Sequence, residues 1–224
     1  MKRLRVDFSR VIDLSQTISN ASPTYPGDTK PSIDRIRRIG INGSAYNLSR
    51  LTISPHVATH VDAPLHFLSE ERCVGDLDPF AYSGEAVVVD FSSKNSLEIN
   101  AEDLEAKAVE VRSGCVVLLY TGFSKIVGKV DWLRNYTALT EDGAKWLIDK
   151  GVKAVGTDAL SIERYDSKDY RVHKLLLQNS IGIIEGLSDE LKRLIGVKIL
   201  FICLPLKIEC CEGAPARAIA VKLS

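Results

Sequence analysis

Histidine is scarce in this chain, with four in 224 residues, and methionine occurs once. Neither sign of charge prevails: 29 lysines and arginines balance 29 aspartates and glutamates. A chain with no basic excess offers no field for a polyanion, so nucleic acid is not an expected partner. No apolar run reaches the roughly 20 residues needed to span a bilayer, so no membrane partner is expected. Met1-Lys2-Arg3-Leu4-Arg5 is basic, but no apolar signal core follows it. The five cysteines are an odd number without zinc-finger spacing. Reduced thiols in a cytoplasmic protein are the simplest reading. Repeats, low-complexity tracts and linkers are also absent, so one domain over residues 1–224 is expected. Its 45% hydrophobic and 26% charged residues are ordinary for a soluble globular protein.

The histidines that exist are not scattered. Three of the four, with one aspartate, fall between His56 and His66, in the stretch H-V-A-T-H-V-D-A-P-L-H-F. His56, His60, Asp62 and His66 share parity, so an extended strand would place them on one face. A straight strand would still hold His56 and His60 about 13 Å apart. One divalent ion needs its donors at about 2.0–2.2 Å. The chain must therefore double back at Val57-Ala58-Thr59. Three convergent nitrogen and oxygen donors with an open position suit a catalytic zinc, manganese or similar ion. A carboxylate such as Asp62 has two oxygens and can bridge a second ion. Pro55 and Pro64 bracket and stiffen the segment. An isolated histidine is usually a surface or core residue; a cluster holding most of a chain's histidines is not explained that way.

The rest of the chain alternates between strand and helix signals. Strands are expected at Val11–Ser15, Ser32–Ile41, Tyr46–Ser54, Ala86–Phe91, Cys115–Tyr120, Val152–Asp158, Ile181–Glu185 and Val197–Leu204. Helices are expected at Ala101–Val111 behind Asn100, from Thr140 to Lys150 with a stop at Gly151, and at Lys168–Gln178 behind Ser167. A short helix fits Asp189–Ile195. Tyr25-Pro26-Gly27-Asp28 fits a type II turn, and Gly40–Gly43 a connecting turn. Residues 68–85 read as a polar loop able to cover the site. Asp158 is either a neighbour of metal ligands or a turn residue. Cys210 and Cys211 read best as buried small residues. The pattern is α/β, one domain with mixed sheets.

The stretch from His56 resembles the H-x-G-T-H-x-D-x-P-x-H-F signature of the cyclase-like family of metal-dependent hydrolases, which includes bacterial kynurenine formamidases and isatin hydrolases. A second part of the resemblance lies far downstream: His173 and, twelve residues on, Glu185 in Ile183-Ile184-Glu185-Gly186-Leu187. Leu204–Glu209 and Gly213–Ala218 resemble the family's closing segment. The resemblance implies the swivelling β/β/α arrangement. It implies one ion on His56, His60 and Asp62, and a second on Asp62, His173 and Glu185. His66 is then left as proton donor and acceptor. The ions would be two divalent cations, zinc first and manganese as the alternative. Tyr25 matches an aromatic substrate-binding position where the family often has tryptophan. Ala58 departs from the signature's glycine, and strains the turn if that position has positive φ. Arg217 would tie down its loop or meet a substrate carboxylate, the first being preferred.

The implied reaction is hydrolysis of N-formylkynurenine to formate and kynurenine by a metal-activated water. The implied partners are a small-molecule substrate and further copies of the chain, as a dimer or tetramer. Alternatives are hydrolysis of isatin or another cyclic amide or lactone, and a family cyclase or dehydratase activity. A non-catalytic metal protein would need another ligand, His66 or a cysteine, closing the open position.

Overall fold

A computed structural model describes residues 8–69 and 71–223; the basic stretch 1–5 lies outside them. In chain order the strands and helices are β1 (Val11–Asp13), β2 (Ser32–Arg37), β3 (Leu48–Thr52), β4 (His60–Asp62), β5 (Gly84–Asp90), β6 (Glu98–Ile99), α1 (Ala101–Lys107), β7 (Val116–Tyr120), β8 (Ala138–Leu139), α2 (Glu141–Asp149), β9 (Ala154–Thr157), α3 (Arg171–Gln178), β10 (Gly182–Glu185), β11 (Ile199–Pro205) and β12 (Gly213–Lys222).

The main sheet runs β1-β12-β11-β5-β7-β9-β10-β4, and β4 pairs again with β12. The sheet therefore closes on itself, which removes open edges from the strands carrying the site. Length lets β12 make this closure: its residues 213–215 pair with β4, its residues 216–222 with β11, and its residues 219–221 with β1. Strands β5, β7, β9 and β10 are parallel neighbours, and the other pairs of this sheet are antiparallel.

Strand β7 shows why the sequence demands this closure. All five of its residues are buried. Val116, Leu118 and Tyr120 face an inner core with Val88, Ile184, Phe201 and Ala218. Val117 and Leu119 face an outer core under Leu104 of α1, Leu147 of α2 and Leu176 of α3. A strand buried on both faces reads as a continuous apolar run. Two walls of a closed sheet plus one helical layer give the expected mixed α/β, β/β/α order.

Local signals mostly act where expected. Asn100 and Asp103 form a reciprocal capping box on α1, and Thr140 caps α2 through the Gly143 N–H at 3.3 Å. Gly151 ends α2 at φ +67°. The Asp28 N–H donates to Tyr25 O at 3.1 Å with Gly27 at φ +101°, as a type II turn requires.

Several boundaries differ. Helix α1 stops at Lys107 rather than Val111; Val109 is 81% exposed, so further turns would bury nothing there. Helix α3 starts at Arg171 rather than Lys168, and Ser167 does not cap it. Its N-cap is Tyr170, in the left-handed region at φ 50°. The 189–195 segment is a 3-10 helix, Asp189–Leu194. Strands β2 and β3 are shorter than expected and form a separate hairpin that exposes Ile33, Ile36, Leu48 and Leu51. The described residues of segment 68–85 do not form a cover. Val74 and Tyr82 are buried in the inner core, and the Tyr82 hydroxyl donates to Asp62 O at 2.8 Å. The segment props up the site from behind.

Candidate metal centre and cavity

Strand register builds the centre. On β4, His60 and Asp62 are two apart and share a face. On β10, Glu185 lies directly opposite His60, so its carboxylate joins that face. His173 arrives from the first turn of α3. His56 arrives by the reversal expected from ligand geometry: Ala58 takes φ +55°, and the His56 and His60 rings approach to 5.1 Å edge-to-face. The glycine position of the signature does need positive φ, and alanine occupies it here under strain. The turn is clasped from behind, where the Thr59 hydroxyl donates to Gly186 O at 2.6 Å. Gly213 leaves room for the His56 ring; a Cβ there would lie 2.8 Å from His56 Cε1.

Six sequence-selected residues converge. His60 Nε2 lies 3.3 Å from Glu185 Oε2 and 3.7 Å from Asp62 Oδ1. His173 Nε2 lies 3.3 Å from Glu185 Oε1 and 3.8 Å from Asp62 Oδ2. His56 Nδ1 lies 3.0 Å from Asp62 Oδ1. The His66 ring stacks on His56 at 4.0 Å. Among the described residues potential donor atoms fall into two compact sets, one from His60, Asp62 and Glu185, the other from His56, Asp62 and His66; these differ from the two sets the resemblance implies, His66 lying in one and His173 in neither.

These groups fit a cation. His60 Nδ1 is 3.0 Å from Ala58 O, which can only accept, so Nδ1 carries the proton. Nε2 then faces the carboxylates, where a cation could take the place of a proton. His60 Nε2, His56 Nε2 and Asp62 Oδ2 are buried without hydrogen-bond partners. Buried orphans of this kind are costly, and a divalent ion would satisfy them together.

Electrostatics agree. Burial lowers the affinity of His60 and His173 for a proton, but the carboxylates more than reverse this. Glu185 raises His60, and Glu163 and Glu185 raise His173 to about 10. Glu185 is held well below the usual carboxylate range; burial raises it, and His173 and His60 outweigh burial. Asp62 is also lowered, its burial and the repulsion of Glu185 being overcome by His56. The carboxylates that draw protons onto these imidazoles would draw a cation into the same place. His66 goes the other way: burial lowers it, and His56 and His173 add to this against Asp62.

The centre lies at one side of a cavity of about 380 Å3, a usual size for a small-molecule site. Tyr25, Phe67, Leu160 and Tyr170 supply much of its apolar wall. Phe67 is 5.0 Å from the Tyr170 ring and 4.5 Å from the His173 ring. Burial pushes the Tyr25 hydroxyl up to about 12, so it stays neutral, and it donates to Tyr165 O at 3.3 Å.

Other candidates fall outside. Asp158 accepts from the Thr121 N–H and hydroxyl, both at 2.7 Å, and from the Phe123 N–H at 3.0 Å; it is a turn anchor. Arg217 pairs with Asp13 and ties β12 to β1, which fits the preferred tying role. Cys210 is exposed and Cys211 half-buried, both as free thiols, so the buried pair expected there is not found. Sequence reasoning missed Glu163, whose Oε2 lies 2.7 Å from His173 Nδ1. It also missed Glu212, with Oε1 3.7 Å from His56 Nε2, and the Ile162 N–H, which donates to Glu185 Oε1 at 2.6 Å. No local spacing marks these residues, although Glu163 is an acidic residue ten before His173.

A family model described as "Putative cyclase" matches residues 12–164. This chain belongs to that cyclase family. A curated relative, the kynurenine formamidase of Erythrobacter litoralis, is 33% identical over 96% of this chain and 94% of its own. Among solved structures, a potential metal-dependent hydrolase with cyclase activity superposes with TM-score 0.80 at 27% identity, over 96% of this chain and 98% of its own. Isatin hydrolase A from Ralstonia solanacearum superposes with TM-score 0.83 at 25% identity, over 94% and 91%. The cyclase-family chain is a metal-dependent hydrolase for a small-molecule substrate, and its centre suits a divalent cation. No helix among the described residues is long and apolar enough to cross a membrane.

Proposed function

We propose that this cyclase-family protein hydrolyses an aryl formamide, N-formylkynurenine first, to formate and the aryl amine kynurenine. The observation that carries the reading is the meeting of half-buried His56 with buried His60, His173, Asp62 and Glu185 beside an aromatic-walled cavity. In this reading His56, His60 and Asp62 hold one ion, and Asp62, His173 and Glu185 a second. Zinc is the first choice and manganese the alternative, since nitrogen and oxygen donors accept both. Such ions supply Lewis-acid polarisation of a carbonyl and a water whose pKa falls toward neutrality.

The chain's own residues do the rest. Tyr25 and the Phe67–Tyr170 wall take the aryl ring by stacking. Water adds to the formyl carbon, and the bond from that carbon to nitrogen breaks. His66, neutral at the start, takes the proton that the water gives up and passes it to the departing nitrogen. Its ring supports this role: no side-chain hydrogen bond locks it among the described residues, whereas His56, His60 and His173 each have a ring nitrogen engaged. The likeness to an isatin hydrolase supports cyclic amides as a second substrate class.

Turnover of zinc- and manganese-loaded protein on N-formylkynurenine, isatin and a lactone, alongside elemental analysis, tests the reading. Faster turnover of the formamide is expected; no hydrolysis of any of the three would sink it. His66→Ala should retain both ions and lose turnover about 10²–10⁴-fold; loss of metal would make His66 a ligand instead. We also propose a cytoplasmic homodimer or tetramer. The apolar surface of the β2–β3 hairpin supports a second copy as its cover, and light scattering on purified protein tests this.

A further inference from the structure

We propose that Glu163 is a positioning residue for His173, fixing through its carboxylate the orientation and proton placement with which that imidazole faces the cation site. The inference rests on the reading of His173 as a ligand. Glu163 is 5% exposed and lies between β9 and α3. Its Oε2 accepts twice from the same residue, from His173 Nδ1 at 2.7 Å and from the His173 backbone N–H at 3.1 Å. Its Oε1 accepts from the Ser167 hydroxyl at 2.6 Å. Its own carbonyl accepts from the Tyr136 hydroxyl at 2.5 Å. The carboxylate is thus held at both ends before it meets the histidine.

Geometry fixes the proton. A carboxylate can only accept, so Nδ1 carries a hydrogen, and Nε2 is the nitrogen left to give a lone pair to a cation. Nε2 points where Glu185 Oε1, 3.3 Å away, and Asp62 Oδ2 converge, so a cation bound there would replace a proton. The two other anchored histidines lack this arrangement. His60 is set by a neutral carbonyl, and the carboxylate next to His56 Nδ1 belongs to Asp62 itself. His173 alone among them has, within hydrogen-bond distance, an acidic group outside the proposed ligands. A charged partner also makes the imidazole a stronger base toward a cation. Capping α3 would need no charge, because an amide oxygen could accept the same backbone N–H.

That difference sets the test. Metal-free wild type, Glu163→Gln, Glu163→Asp and Glu163→Ala would be titrated calorimetrically with zinc against a competing chelator, with bound zinc counted by elemental analysis. Thermal melts of the metal-free proteins would run in parallel. Glu163→Gln keeps the shape and the cap. We expect its first zinc to bind as in wild type and its second 10–100-fold more weakly. Glu163→Asp, which keeps the charge, should recover part of that loss. Glu163→Ala should weaken the second zinc at least as much, and Glu163→Gln carries the test if that variant does not fold. Unchanged affinity for both zinc ions in Glu163→Gln, whatever its melting temperature, would overturn the proposal and leave Glu163 a helix cap. A wild type that binds no second zinc would overturn the ligand reading and the proposal together. The two failures are told apart by the wild-type stoichiometry.

Discussion

Replacing Gly186 by alanine should damage both the fold and the centre, although the change adds one methyl group. Gly186 follows Glu185 directly and has φ +66°. Alanine in that region costs about 1–2 kcal/mol. A Cβ there would lie 2.9 Å from the Ala58 carbonyl carbon and closer still to its oxygen. Backbone cannot swing away as a flexible side chain can, so the turn at 57–59 must move. Movement weakens the Thr59 hydroxyl bond to Gly186 O and the His60 Nδ1 bond to Ala58 O, worth about 1 kcal/mol each. The sum is about 3–4 kcal/mol, or roughly 10 °C in Tm for a chain of this size. Gly43→Ala is the control: its φ is +71°, and nothing lies within 4 Å of the added Cβ. That variant should lose only about 1–2 kcal/mol. Urea unfolding of both metal-free variants, with zinc binding measured on each, checks the argument. Equal losses in the two variants, or unaltered zinc affinity in Gly186→Ala, would refute the claim that turn and strand end are clasped together.

Ala58→Val should cost about 2 kcal/mol, because a β-branched residue is a true outlier at φ +55°; Ala58→Gly should be tolerated, and urea midpoints compare them. Burial raises the Asp103 carboxyl, but the Lys94 ammonium and the Asn100 N–H outweigh it and lower it overall. A lowered folded pKa gives stability that is present above the unfolded value, near 4, and lost as pH falls through the folded one. Asp103→Asn should therefore cost about 0.5–1 kcal/mol at pH 7, with the gap to wild type closing in melts below pH 4. A thiol reagent should label Cys210 readily in native protein, whereas Cys203, buried and pushed up to about 12, reacts only after denaturation; fast labelling of Cys203 would contradict the closed inner core.

The centre was legible because its chemistry forces rare residues together. Metal distances alone required a reversal at Val57-Ala58-Thr59, and Ala58 makes it. His173 and Glu185 were found only through the two-part signature, since a surface helix histidine and a strand-end glutamate are ordinary in isolation. Glu163 escaped because nothing along the chain shows that a side chain from one segment will cap the next helix. The same fact misplaced the start of α3 at Lys168: a local capping rule chose Ser167, and a tertiary contact overrode it. The closure of the sheet was hidden for a similar reason. Pairing of β12 with both β4 and β11 depends on long-range register, whereas the continuous apolar run of β7 only says that both its faces are covered.

That closure also sets a schedule for assembly. The short strand β4, which carries His60 and Asp62, gains its two flanking neighbours, β10 and β12, from the last fifth of the polypeptide. About a hundred and fifty residues separate the first three histidines from the start of β12. His173 and Glu185 come from the late part of the chain as well, so the two halves of the cluster meet only when the polypeptide is nearly complete.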